Sequence, residues 1–225
     1  MKWSHTLGHN KAKLNTIHME PSRAILPIET VIQNCGHCGP ATVSMLLGFV
    51  GRTCDQSAIV EAAGLRSTIA THGSRIDQLA AAVESLDDFI LLAKFDSTTQ
   101  QIIRVISEVG IPVGVEWQST FCRTDGTLYT EGHYSVVRGF DFERQELTIA
   151  DPDPTSQFYA GSISFDEFAR RWWEENQIFE PNYEKVLNRG LCFAIVQTHF
   201  QDSLLEMGFQ QATQDLMIKT SHSAP

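Results

Sequence analysis

The sequence predicts an α+β domain, helical in its first half and built mainly of strands in its second. Two observations carry the prediction. Before residue 110, apolar residues recur in several segments at the i, i+3, i+4, i+7 spacing that gives a helix one apolar face. From Ile111 onward, short β-rich runs alternate with polar turns. A chain of 225 residues that is 42% hydrophobic can fill one sizeable core or two tightly apposed lobes.

Residues 1–27 read as a polar lead-in ending in the apolar Ala24-Ile25-Leu26-Pro27. The first helix follows the stretch Gln33-Asn34-Cys35-Gly36-His37-Cys38-Gly39-Pro40-Ala41. Pro40 suits a first helical turn, where its missing N–H costs no intrahelical bond. Val43, Leu46, Leu47 and Val50 line one face, and Gly51 supplies the stop. Cys38 is therefore placed at the mouth of the helix, where unpaired N–H groups and the positive helix end stabilise an anion such as a thiolate. Residues 55–63 read as a second short helix closed by Gly64, and residues 66–73 as a loop. Ser74 is expected to cap a helix whose Ile76, Leu79, Ala80 and Val83 face the core. A strand at 89–93 precedes an amphipathic helix at 98–109, with Ile102, Val105, Ile106 and Val109 on one side.

In the second half, strands are expected at 111–117, 134–140, 147–150 and 191–197, interrupted by one helix at 165–175. Residues 118–130 read as a long polar connection, placed to form a rim or lid over a cleft. Of Trp172 and Trp173, one is expected to pack inward while the other stays partly exposed. Residues 203–219 carry Leu204, Leu205, Phe209, Ala212 and Leu216 on a helical pattern, and the tail after them is expected to fray.

The run beginning at His133 and the run Leu147-Thr148-Ile149-Ala150-Asp151-Pro152 are joined by the polar Glu143-Arg144-Gln145-Glu146, which makes a hairpin. His133 would start the first strand and Asp151 end the second, so the two meet side by side. Asp151 can then accept the Nδ1–H of His133, fix its tautomer and stabilise the imidazolium. Cys38, His133 and Asp151 thus converge from separate regions, with Cys35 a second candidate thiol.

These residues also carry a resemblance. Gln33 with Cys38-Gly39-Pro40-Ala41, then Gly132-His133-Tyr134-Ser135-Val136-Val137-Arg138-Gly139-Phe140-Asp141, then Ala150-Asp151-Pro152, resembles the C39-like branch of papain-fold cysteine peptidases. Gly110-Ile111-Pro112-Val113-Gly114-Val115 and Ile163-Ser164-Phe165-Asp166-Glu167-Phe168 extend it, so the catalytic domain is expected over residues 28–200, with a C-terminal helical extension at 201–225. The resemblance implies a papain-like fold in which a helical lobe carries the cysteine and an antiparallel sheet lobe carries the histidine and aspartate. It implies Cys38 as nucleophile, His133 as general base, Asp151 as the orienting acid and Gln33 as side-chain donor to the oxyanion beside the Cys38 N–H. The glutamine stands five residues before the cysteine where the resemblance calls for six or more, so Asn34 is the alternative donor.

The implied activity is hydrolysis of a peptide or amide bond through a thioester. Two alternatives use the same fold: an acyltransferase resembling phytochelatin synthase, and a non-catalytic binding module. No cofactor is implied. Cys35, His37 and Cys38 would need a further ligand to hold zinc, and no second Cys-x-x-Cys pair exists to complete a site. A net charge of −10 gives no electrostatic footprint for nucleic acid. No run approaches the ~18 apolar residues of a membrane helix, and the N-terminus lacks a secretory apolar core. Five cysteines without paired spacing argue for a reducing, cytoplasmic setting.

Overall fold

In the computed structural model, which describes residues 21–159, 161–178 and 184–221, the chain enters through strand β1 (Arg23–Ile25) and reaches helix α1 (Cys38–Phe49). The first twenty residues of the expected lead-in and residues 222–225 of the expected frayed tail lie outside the described residues. Pro40 sits in the first turn of α1, and Gly51 takes a φ of 84° just past its end. The short helix α2 (Gln56–Ala62) is capped by Asp55, whose carboxylate accepts the N–H groups of Ser57 and Ala58. Part of the expected loop that follows forms a single helical turn, α3 (Ile69–His72).

Helix α4 (Ile76–Glu84) begins one residue later than the serine suggests. Arg75 is its N-cap residue, and its N–H donates to Gln78 Oε1 at 2.9 Å. Ser74 makes no cap and is buried instead, 7% exposed. Strand β2 (Phe89–Lys94) leads to α5 (Thr99–Arg104), which passes into a π-helical turn, Val105–Val109.

Strands β3 (Val113–Cys122) and β4 (Leu128–Asp141) form a long hairpin, with Val113 opposite Val137 and Cys122 opposite Leu128. The expected polar connection at 118–130 is therefore mostly strand. Ser119 and Phe121 continue the buried alternation of Trp117, and serine, threonine and cysteine hid that period in the sequence. Strands β5 (Glu146–Ala150) and β6 (Ser162–Ser164) follow, then α6 (Phe165–Arg171). That helix stops at Trp172, short of the expected 175, and the chain forms a separate two-stranded sheet from β7 (Trp173–Ile178) and β8 (Glu184–Arg189). Trp172 is buried and Trp173 is 38% exposed. After β9 (Cys192–Gln197), the single helix expected at 203–219 is divided into α7 (Asp202–Glu206), strand β10 (Gln210–Gln211) and α8 (Gln214–Ser221).

The main sheet runs β10-β2-β9-β3-β4-β5-β6, with β1 paired to β4 beyond the reach of β3. Strands β1 and β10 lie outside residues 28–200 and are nonetheless part of this sheet. Strand alternation sorts the core into two layers. Leu91, Ala93, Tyr134, Val136, Phe193 and Ile195 meet α1 and α4 on one face. Leu92, Val115, Trp117, Val137, Ala194 and Val196 meet α5 and α6 on the other. At Gly114 the Phe193 ring occupies the space a side chain would take, and a Cβ there would overlap it. Gly114→Ala is expected to cost about 1–3 kcal/mol in urea unfolding, because the fully buried Phe193 has nowhere to move.

Candidate active site

The loop before α1 is stitched down on both sides. Gln56, 8% exposed, accepts the Asn34 N–H at 2.9 Å and donates to the Ile32 carbonyl at 2.8 Å. The Gln33 N–H donates to the Pro152 carbonyl at 2.9 Å. Cys38 is the first residue of α1 and half-buried, so its thiol reaches the cleft while the helix behind it is packed.

His133 and Asp151 arrive through the β4–β5 pair. Ala150, the last residue of β5, sits opposite Val136, so Asp151 falls beside the Ser135–His133 stretch of β4. His133 lies inside β4 rather than at its start, because the strand begins at Leu128. Its Nε2 hydrogen-bonds Asp151 Oδ1 at 2.8 Å. The hairpin geometry predicts Nδ1 in that role; here Nε2 takes it, and the Cys38 thiol lies within electrostatic reach of the imidazole. The structure thus places Cys38 and His133 in one cleft wall, with Asp151 hydrogen-bonded behind the imidazole.

Asp151 is fully buried, and four donors converge on it. Oδ1 accepts from His133 and from the Asp153 N–H at 2.9 Å; Oδ2 accepts from Ser156 at 2.8 Å and Ser135 at 3.2 Å. Trp117 Nε1 in turn donates to the Ser135 hydroxyl at 3.0 Å. Phe121 stands edge-on to the imidazole, with centroids 5.0 Å apart. Burial opposes protonation of His133, but the charge and hydrogen bond of Asp151, joined by Cys38, raise its pKa to about 10.

Gln33 occupies a different place from that trio. Its Nε2 donates to Asp153 Oδ2 at 2.8 Å, and it is not part of the cleft wall. The carboxylate fixes the amide orientation, and Oε1 accepts no hydrogen bond among the described residues. Asn34 and Cys35 are exposed on the same loop. Three residues of this constellation had no signal in the sequence: Ser135, Ser156 and Asp153. Hydroxyl donors carry no fixed spacing, and Asp153 follows the Ala150-Asp151-Pro152 run without a pattern of its own.

The cleft holds about 760 Å³ and is lined by Cys38 and His133 together with Ser74, Glu116, Tyr134 and Glu174. Among the described residues, no group of three His, Cys, Asp or Glu side chains is arranged to hold a metal ion. Nor is any helix among them long and apolar enough to cross a membrane.

The chain belongs to the Peptidase_C39 like family, whose pattern matches residues 25–178. Among solved structures it is similar to the peptidase domain of Streptococcus ComA, a bifunctional ABC transporter of a quorum-sensing pathway. That likeness has a TM-score of 0.52 at 18% identity, covering 76% of this chain and 98% of that one, and shows the shared papain-like fold. A double glycine motif protease from an AMS/PCAT transporter, in complex with its leader peptide, gives a TM-score of 0.49 at 15% identity over 77% of this chain and 94% of that one. None of the curated proteins compared with the chain matches it.

The raised His133 pKa has a consequence for stability. The folded state holds this proton up to about 10, whereas an ordinary imidazole releases it near 6.5. The stabilisation is complete below 6.5 and is lost as pH rises through 10. Urea unfolding is therefore expected to show wild-type stability falling more steeply across that window than Asp151→Asn stability; parallel profiles would refute the coupling.

Proposed function

With membership of that family as the premise, we propose that the chain is a cysteine peptidase or amidase that cleaves a peptide or amide bond through Cys38, His133 and Asp151. The observation that carries this reading is the buried Asp151–His133 hydrogen bond, with the Cys38 thiol in the same cleft wall and within electrostatic reach of the imidazole. An imidazolium held against Sγ favours the thiolate, and the unpaired N–H groups at the start of α1 add to that. The thiolate attacks the carbonyl carbon, forming a C–S bond while the carbonyl electrons move to oxygen. His133 gives its proton to the leaving nitrogen, the C–N bond breaks, and a thioester remains. Water then attacks the thioester as His133 takes its proton, and Cys38 leaves as thiolate.

Asp151 keeps Nε2 engaged throughout, which leaves Nδ1 as the working nitrogen. In this reading the oxyanion is met by the Cys38 backbone N–H and by Gln33, whose Nε2 carries a second hydrogen besides the one given to Asp153. The substrate is a peptide or amide lying in the cleft between α1 and the β3–β4 hairpin.

Limiting iodoacetamide at mildly acid pH, followed by peptide mapping, tests the nucleophile. Cys38 is expected to label ahead of the more exposed Cys35 and Cys122, and His133→Ala to abolish that preference. Labelling at Cys35 first would move the nucleophile. On a fluorogenic peptide library, Cys38→Ala and His133→Ala are expected to be inactive and Asp151→Asn impaired but measurable. Gln33→Ala is expected to lose on the order of 10²–10³ in turnover; normal turnover would remove it from the oxyanion site.

A further inference from the structure

Beside the Cys38–His133 pair, the cleft has a wall of acceptors that the hydrolytic steps leave unused. Glu116 on β3 stands directly opposite Tyr134 on β4. Each is 3% exposed and each lines the cleft. Asn176 donates to Glu116 Oε2 at 3.0 Å. The Tyr134 hydroxyl and the Asn188 amide face the same carboxylate, yet neither closes a hydrogen bond among the described residues. The Ser74 hydroxyl, also in the cleft wall, has no partner among them either. It lies against the α1 backbone where Gly39 follows Cys38, and a Cβ on Gly39 would overlap it.

A second carboxylate completes the wall. Glu174 on β7 leans over β4 where Gly132 has no side chain, and a Cβ there would overlap it. Gln118 Nε2 donates to Glu174 at 2.5 Å. Arg75, which also lines the cleft, makes two hydrogen bonds to Asp77, at 3.0 and 2.9 Å. Burial raises Glu116 to about 7, and burial with the charge of Glu116 raises Glu174 to about 8. A cation beside them would restore both to the ionised state.

Buried hydroxyls without partners next to an under-compensated carboxylate are costly unless something fills them. What fits is a compact group with several donors, a positive charge and no acceptor, such as a primary ammonium. We propose that Glu116, Tyr134, Ser74 and Glu174 form a subsite for a primary ammonium on the acyl part of the substrate, either a lysine-type side chain or a free α-amine. The assignment to the acyl part rests on place: Tyr134 packs against Gly39, the residue after Cys38, and the acyl part is the one that stays bonded to the Cys38 thiol. This inference rests on the peptidase reading above.

Peptidyl chloromethyl ketones test it, with Cys38 alkylation read by mass spectrometry. N-acetylated ketones carrying lysine, norleucine or glutamate at either of the two residues nearest the ketone cover the side-chain arm. Norleucine ketones with and without a free α-amine cover the other arm. A gain of about tenfold or more for one cationic arm over its neutral counterpart is expected, and it identifies which amine is bound. The gain is expected to collapse in Glu116→Gln and to shrink in Tyr134→Phe, the second variant standing in where the first does not fold. Equal rates for cationic and neutral ketones, with iodoacetamide still labelling Cys38 first, would overturn the subsite and leave the nucleophile standing. Failure of both reagents at Cys38 would overturn the peptidase reading and the subsite with it.

Discussion

A fully buried carboxylate is tolerable only when donors surround it, because taking the charge out of water costs several kcal/mol before anything offsets it. Asp151 meets that requirement with His133, Ser135, Ser156 and the Asp153 N–H. These donors belong to β4 and to the loop after β5, and that loop is itself laid along the end of β3. The Cys122 N–H donates to the Thr155 carbonyl at 3.0 Å, and the Gln157 N–H to the Thr120 carbonyl at 2.9 Å. Gln33 extends the connection to the loop that presents Cys38. The position of the thiol, the tilt of the imidazole and the closure of the long hairpin therefore depend on one charge being satisfied.

The two buried carboxylates near the cleft make an instructive contrast. Both Asp151 and Glu116 lie within the main sheet region, but only Asp151 has every lone-pair direction answered by a short polar neighbour. Glu116 has one good donor, from Asn176, and faces groups that come close without engaging. The first environment surrounds a carboxylate with donors next to a histidine. The second leaves a carboxyl whose charge depends on what enters the cleft. Burial alone does not separate these cases; the count and direction of donors does.

Much of this arrangement was legible in the sequence because it rests on backbone rules. Pro40 and the apolar stripe of α1 fixed where Cys38 would sit, and the polar turn at 143–146 brought Asp151 back beside His133. What escaped notice shares a common cause. In β7 the run Glu174-Glu175-Asn176-Gln177 is polar at every position, so period-two burial of Asn176 and Ile178 leaves no hydropathy trace. The same holds for the Ser119 extension of β3. Which imidazole nitrogen meets Asp151 depends on the side-chain rotation and the strand twist, which residue order does not encode. Gly208, with a φ of 84°, breaks what reads as one helical stripe into α7 and β10.

The sheet ends on both sides in very short strands, β6 with three residues and β10 with two. Each is followed directly by helix or by a short turn into one. So few unpaired backbone groups make a poor template for another extended chain, which limits edge-to-edge aggregation between copies. It also means that an extended peptide gains little by adding itself to either margin of the sheet. In a peptidase of the proposed kind, recognition of a chain segment would fall away from the margins of the main sheet and toward the interior furrow, where side chains rather than a repeating main-chain ladder would set the selectivity.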